Sequence, residues 1–189
     1  MQLILASASP RRQELLKLFG IPFTIRVADI DETMDPAKAP FREVGRVSRL
    51  KAMAIPRDPG DVVIAADTIV VCEGRVLGKP HSGAEAADML RLLSGRDHQV
   101  MTGCTVLRDD TCKTFTEVTD LHFRPLRESE IARYVASGEP MDKAGAYGIQ
   151  GGAALFCERM VGDYYNVMGL PVCRLGELLR NGFPELMED

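Results

Sequence analysis

Residues Val62–Cys72 read Val-Val-Ile-Ala-Ala-Asp-Thr-Ile-Val-Val-Cys. Rich in Val and Ile, this is the most hydrophobic strand signal in the chain, and it is expected to be buried in a sheet. A lone aspartate, Asp67, interrupts it. A carboxylate in such a run is costly unless it is paired, hydrogen-bonded or bound to metal. Asp67 is therefore either an aspartate at a strand bend, or a metal ligand or general base.

The segments around this run alternate between strand and helix signals. Leu3–Ala6 is apolar, Ser7-Ala8-Ser9-Pro10-Arg11-Arg12 is polar, and Gln13–Phe19 is periodic. That order reads as strand, turn and helix, with Ser9 as N-cap, Pro10 at the first helical position and Gly20 as C-cap. The backbone N–H groups of such a helix start favour anions. Ser7, Ser9, Arg11 and Arg12 make it a candidate grip for phosphate or carboxylate; the alternative is a capped surface helix with solvated arginines.

Phe23–Ala28 reads as a strand and Asp29–Pro40 as a loop. Phe41, Val44, Val47, Leu50 and Ala54 recur at helical spacing up to Pro56. Glu73-Gly74 turns the buried strand back through Arg75–Leu77. Ser82-Gly83-Ala84-Glu85 forms a capping box for a helix to Leu93, closed by Gly95. Val100–Leu107 and Thr114–Phe123 are predicted to form a long hairpin, Glu128–Ser137 a short helix, Ala153–Cys157 a strand, and Leu170–Arg180 a final helix. Strands alternating with helices, plus an antiparallel pair, imply an α/β fold with a mixed β-sheet flanked by helices. Residues 1–189 carry no internal repeat or linker, and are expected to form a single domain with two lobes around a cleft.

Composition narrows the function classes. The net charge is −4, and apart from Arg11-Arg12 the basic residues are dispersed, which argues against a nucleic acid polymer as partner while allowing a small anion. No apolar run approaches the roughly 20 residues that span a bilayer, and the start is too soon polar for a signal peptide. The five cysteines are scattered with no C-x-x-C pair, which argues against a zinc site or disulfide framework. A reducing cytoplasm is the expected location.

Further polar islands carry the chemistry. Ile30-Asp31-Glu32-Thr33 places Glu32 just past a strand. Leu77-Gly78-Lys79-Pro80 puts a lysine on a tight loop, where it is either an exposed turn residue or a ligand contact. Lys51, in Arg49-Leu50-Lys51-Ala52, reads equally as the solvent face of a helix. Pro140–Gly152 has four glycines in its last eight residues, so its backbone can approach a ligand closely, or simply flex. Tyr147 offers a flat surface there and Gln150 a donor and an acceptor, a pairing suited to a base edge. Two acidic positions (Glu32, Asp67), five cations (Arg11, Arg12, Lys51, Lys79, Lys143) and a glycine loop with an amide form a parts list for metal-assisted water attack on a phosphoryl group. Neither a Walker lysine motif nor a G-x-S-x-G is present.

The segments Ser7–Leu16, Ala66-Asp67-Thr68, Leu77–Pro80, Leu93-Ser94-Gly95, Asp142–Gly151 and Asn166–Pro171 resemble, in order and over nearly the whole chain, the Maf family of nucleoside triphosphate pyrophosphatases. The resemblance implies an elongated fold like that of inosine triphosphate pyrophosphatases. It also implies a homodimer, a Mg²⁺ or Mn²⁺ cofactor, and a cytoplasmic house-cleaning role with a link to cell-division arrest. The implied reaction converts a nucleoside triphosphate to the monophosphate and pyrophosphate. Arg11, Thr68 and Gln150 match the branch that takes dTTP and UTP; the 7-methyl-GTP branch has tryptophan, glutamine and glutamate there. Modified pyrimidine triphosphates are a further substrate class, and a non-catalytic nucleotide-binding regulator is the rival reading.

The same resemblance implies that Asp67 would activate water, Glu32 would join it at the metal, and Ser7, Arg12, Lys51 and Lys79 would contact phosphates. Lys143, in the glycine loop, is carried as a further substrate contact. Two departures stand out. Ala39 occupies a position where many relatives carry glutamate, and Ser48-Arg49-Leu50-Lys51 replaces the more usual Ala-x-x-Lys.

Overall fold

In a computed structural model, which describes residues 1–27 and 29–187, the elements run β1 (Leu3–Leu5), α1 (Pro10–Lys17), β2 (Phe23–Ile25), α2 (Pro40–Met53), β3 (Val62–Cys72) and β4 (Arg75–Leu77). They continue with α3 (Gly83–Leu93), β5 (Asp97–Arg108), β6 (Thr111–Phe123), α4 (Glu128–Ala136), β7 (Cys157–Val161), α5 (Tyr164–Met168) and α6 (Val172–Gly182). The strands form one seven-stranded sheet in the order β2-β1-β3-β5-β6-β7, with β4 paired to β3. β1 lies parallel to β2 and β3, whereas β3–β4 and β6–β7 are antiparallel. This is the mixed sheet that the alternating segments predict. No helix among the described residues is long and apolar enough to cross a membrane.

The chain divides into two compact units. The first comprises residues 1–67, 102–117 and 169–189, and the second residues 68–101 and 118–168. In the first, Ile4 and Ala6 of the first strand and its exit pack with Val63 and Ala65 of β3, Ala52 and Ile55 at the end of α2, and Leu107 of β5. Each is nearly or wholly removed from water, which supplies the main driving force for docking α2. In the second unit the centre is aromatic. Phe123 packs edge-on against His98, Tyr147 and Phe156, with ring centroids 4.8, 4.8 and 6.0 Å away, and Tyr134 meets Phe156 at 5.3 Å.

Several predicted bounds agree with the structure, among them β3, β4 and α3. Ser82 caps α3 by accepting the Glu85 N–H at 3.1 Å. Ser9 and Pro10 take the expected positions at the start of α1, but Ser9 makes no side-chain cap bond. The expected strand over Ala153–Cys157 is a correction. Residues Gly152–Leu155 form a 3-10 turn and the strand begins only at Cys157. Phe156 is drawn into the aromatic cluster, and a short apolar run does not by itself distinguish turn from strand. The helix α5 was not anticipated; Asp163 starts it by accepting the Tyr165 N–H at 2.7 Å. β2 ends at Ile25, and Ala28, which the sequence places at that strand's end, lies outside the described residues.

α2 sits unusually close to β5. A Cβ on Gly103 would overlap the Val44 carbonyl oxygen and lie 2.7 Å from the Gly45 nitrogen. Ser48, buried on the same helix face, bonds to Thr105 Oγ1 at 2.8 Å and donates to the Gly45 carbonyl at 2.9 Å. Ser48 is thus a polar contact between α2 and the sheet. Gly103→Ala is expected to lower the unfolding free energy by at least about 2 kcal/mol, because backbone rather than a flexible side chain must yield. Thermal and urea denaturation of the variant measure it.

Candidate active site

Helix α2 carries Lys51 on its buried face. Its side chain is 11% exposed, and its ammonium donates to Asp67 Oδ1 at 2.7 Å and to Glu32 Oε2 at 2.8 Å. Asp67 is buried at the middle of β3; Glu32 is more open. The solvated-helix-face reading of Lys51 is therefore replaced by a paired one. The physical reason is register: the helix face that docks on the sheet includes Val44, Val47, Ser48 and Lys51, all buried.

Glu32 sits on an irregular segment, which Glu43 ties to α2. The Glu43 carboxylate accepts from Arg46 Nε at 3.0 Å and from the Asp35 N–H at 2.9 Å, while Arg46 Nη2 donates to the Thr33 carbonyl at 2.8 Å. These bonds, led by those from Arg46, hold the Glu43 pKa down to about 2. Sequence reading missed Glu43 and Arg46; their spacing three apart on one helix was the available signal.

The opening turn contributes a second set of groups. Ser7 Oγ accepts from the Ser9 N–H at 3.2 Å and from Arg12 Nη1 at 3.3 Å, and Arg12 Nε donates to the Gly169 carbonyl at 2.8 Å. Burial lowers the Arg12 pKa, and the negative charges of Asp67 and Glu32 oppose that shift. Beneath it, burial pushes the Cys104 thiol up to about 12, which makes this cysteine an inert packing group rather than a nucleophile. Ser7, Arg12, Glu32, Lys51 and Asp67 are thus brought together in the first unit, and Arg11 directly precedes Arg12 on α1. The Gly169 carbonyl was not singled out from sequence, although it lies within Asn166–Pro171.

The second unit holds the remaining candidates. Thr68 follows Asp67 on β3 and is half-buried. Lys79 is exposed. The Gly78 carbonyl beside it accepts the Gly145 N–H at 3.0 Å, so the Lys79 loop and the glycine loop are joined. Gly145 takes a positive φ of 68°, a conformation that favours glycine, and a Cβ there would also lie 2.7 Å from the Val70 side chain. Gln150 is exposed. Lys143 donates to the Glu139 carbonyl at 2.7 Å and to Asp142 at 2.6 Å, so its ammonium bonds to the chain itself.

Tyr147 is a correction. It is 5% exposed, and its hydroxyl lies 2.9 Å from His98 Nε2. The phenol anchors the glycine loop in the aromatic core instead of offering a surface to a base. Asn166, also fully buried, donates to the Val100 carbonyl at 3.0 Å and Thr119 Oγ1 at 2.9 Å and braces β5 and β6.

The donor chemistry in the first unit fits a divalent cation. Magnesium is held by one or two carboxylates together with water and phosphate oxygens. Glu32 and Asp67 supply two hard oxygen donors that converge on one positive charge. Among the described residues no group of three or more His, Cys, Asp or Glu is placed to hold a metal.

Lys51→Met would leave a buried carboxylate without its partner. A loss of about 2–3 kcal/mol in unfolding free energy is expected. Asp67→Asn should give back part of that loss in the double variant, because the two residues are in contact. Denaturant titration of the two single variants and the double variant checks both statements.

The family profile described as Maf: Maf-like protein matches residues 2–182. A dTTP/UTP pyrophosphatase from Symbiobacterium thermophilum is 52% identical over 185 residues, covering 97% of this chain and 95% of that one. A dTTP/UTP pyrophosphatase from Bacillus cereus strain AH820 is 49% identical over 175 residues, covering 92% of each. Among solved structures, a HAM1 protein from Coxiella burnetii aligns with a TM-score of 0.51 at 17% identity, covering 96% of this chain and 100% of that one. That likeness concerns the fold alone. On the extent of the profile match and the near-complete coverage of its relatives, this chain belongs to the Maf-like family.

Proposed function

We propose that this protein is a nucleoside triphosphate pyrophosphatase that hydrolyses dTTP and UTP to the monophosphate and pyrophosphate. The observation that carries the reading is the buried Asp67 carboxylate, bonded at 2.7 Å to Lys51 beside Glu32, in a chain about half identical to proteins named for that activity. Asp67 would accept the proton of a water molecule whose oxygen forms a bond to the α-phosphorus. The bond from that phosphorus to the bridging oxygen breaks, and pyrophosphate leaves. Glu32 and Asp67 would hold Mg²⁺ or Mn²⁺, which supplies Lewis-acid stabilisation of phosphate charge when bound. Ser7, Arg12, Lys51 and Lys79 would contact phosphates. The positive groups neutralise charge that grows on the departing pyrophosphate, which is where transition-state stabilisation is most effective.

Arg11, Thr68 and Gln150 would select the nucleotide. The Gln150 amide has one acceptor and one donor group, matching the N3–H and a neighbouring carbonyl of uracil or thymine. A glutamate offers acceptors only and suits the donor edge of guanine. Modified pyrimidines that keep this edge fit the same reading. A homodimer and a cytoplasmic setting belong to it through the family resemblance. Retention of both Glu32 and Asp67 favours catalysis over a purely binding role, since a sensor needs no proton acceptor.

Incubation with UTP and Mg²⁺ should yield UMP and pyrophosphate, not UDP and orthophosphate, by anion-exchange chromatography. Tight UTP binding without UMP would instead identify a sensor. Asp67→Asn should reduce turnover by at least about a hundredfold, the scale expected for a lost general base; steady-state pyrophosphate release measures it. Gln150→Glu should lower kcat/KM for UTP and dTTP relative to GTP by at least about tenfold. An unchanged preference in that assay would place base selection elsewhere.

A further inference from the structure

Gln150 is exposed and lies among glycines, just after the buried Tyr147 and Ile149. Its neighbours are Gly148, Ile149, Gly151 and Gly152. Two side chains of the same unit hold this loop from beneath. Tyr134, buried on α4, donates its hydroxyl hydrogen to Glu139 Oε1 at 2.9 Å, and the same hydroxyl oxygen accepts the Gly148 N–H at 3.0 Å. The other carboxylate oxygen, Oε2, accepts the Gly152 N–H at 3.1 Å. The backbone is therefore gripped two residues before and two residues after Gln150.

The glycines make this approach possible. A Cβ on Gly151 would overlap the Glu139 carboxylate. A Cβ on Gly152 would come within 3.2 Å of the Tyr134 ring, and one on Gly148 within 2.7 Å of Lys143 Cε. Glu139 is itself fixed at its backbone, where its carbonyl accepts from Lys143 Nζ at 2.7 Å and its N–H is accepted by Ser137 Oγ at 3.2 Å. Burial raises the Tyr134 pKa, so the phenol keeps its proton and remains a donor to Glu139. No feature of the proposed chemistry at Asp67 uses Tyr134 or Glu139.

We propose that Tyr134 and Glu139 are positioning residues for base selection, fixing residues 148–152 so that the Gln150 amide meets the nucleobase in one register. The inference rests on the reading of Gln150 as the base-selecting group. An amide distinguishes uracil from guanine only while its donor and acceptor are held in place. A loop free to shift lets the side chain re-aim or lets water substitute, and discrimination by hydrogen bonding is lost before turnover is.

The test compares kcat and KM for UTP and GTP in the wild-type chain, Tyr134→Phe, Glu139→Ala, Glu139→Gln, Gln150→Ala and the Tyr134→Phe/Gln150→Ala pair. Tyr134→Phe deletes one oxygen atom, so it stays informative if Glu139→Ala fails to fold. The expected result is a UTP-over-GTP preference reduced at least about tenfold in Tyr134→Phe and Glu139→Ala, mainly through a higher KM for UTP. Glu139→Gln keeps one acceptor and should fall between these variants and wild type. In the Gln150→Ala background, Tyr134→Phe should change the preference by less than about twofold, since residues acting through one group are not additive. If Gln150→Ala lowers the preference while Tyr134→Phe and Glu139→Ala leave it at the wild-type value, the positioning role is overturned and the role of Gln150 stands. If Gln150→Ala itself changes nothing, both are overturned.

Discussion

A single ammonium, that of Lys51, holds two carboxylates from distant parts of the chain. Asp67 lies in a strand and Glu32 in an irregular segment, with Lys51 on the helix between them in sequence. Placing an aspartate in the long apolar strand β3, with little exposure to water, costs free energy. The pairing with Lys51 compensates that cost and gives the carboxylate a defined direction. It also makes the site depend on where α2 lies, because a lysine one turn away would serve neither acid.

The position of α2 is consequently over-determined. Gly103 lets the helix backbone approach β5, Ser48 bonds across to Thr105, and Ala52 and Ile55 close the apolar layer with β1 and β3. Glu43 and Arg46, on the same helix, reach out to the segment just after Glu32 and fix its course. One helix thus positions the cation directly and one of the two acids indirectly. The second unit solves a comparable problem with neutral groups. Its glycine loop is pinned by Tyr147 in the aromatic core, by the Gly78 carbonyl, and by Tyr134 with Glu139.

The sequence was legible where local chemistry and tertiary packing agree. β3, α3 and the hairpin strands β5 and β6 follow from Val/Ile-rich runs, a capping box and turn residues, all of which act over a few positions. It was misleading over residues 152–157, where an apolar stretch turns once as a 3-10 segment before its strand begins, because Phe156 is claimed by an aromatic cluster assembled from remote segments. Tyr147 failed for the same reason. A tyrosine among glycines reads as an accessible ring, yet its neighbours His98 and Phe123 come from β5 and β6, and they bury it.

The sequence by itself determined which chemical groups the protein carries: an acid in an apolar strand, a hydroxyl-and-arginine turn at a helix start, and an amide in a glycine loop. Those are properties of composition and short-range order, and they sufficed for fold class and family. Only the tertiary structure decided the partners. Lys51 belongs with Asp67 and Glu32, Arg12 with Ser7 and the Gly169 carbonyl, and Glu139 with the backbone around Gln150. Each of these pairs closes through packing of elements far apart in the chain, and a hydrogen bond forms only within about 3 Å, a distance that no local pattern encodes.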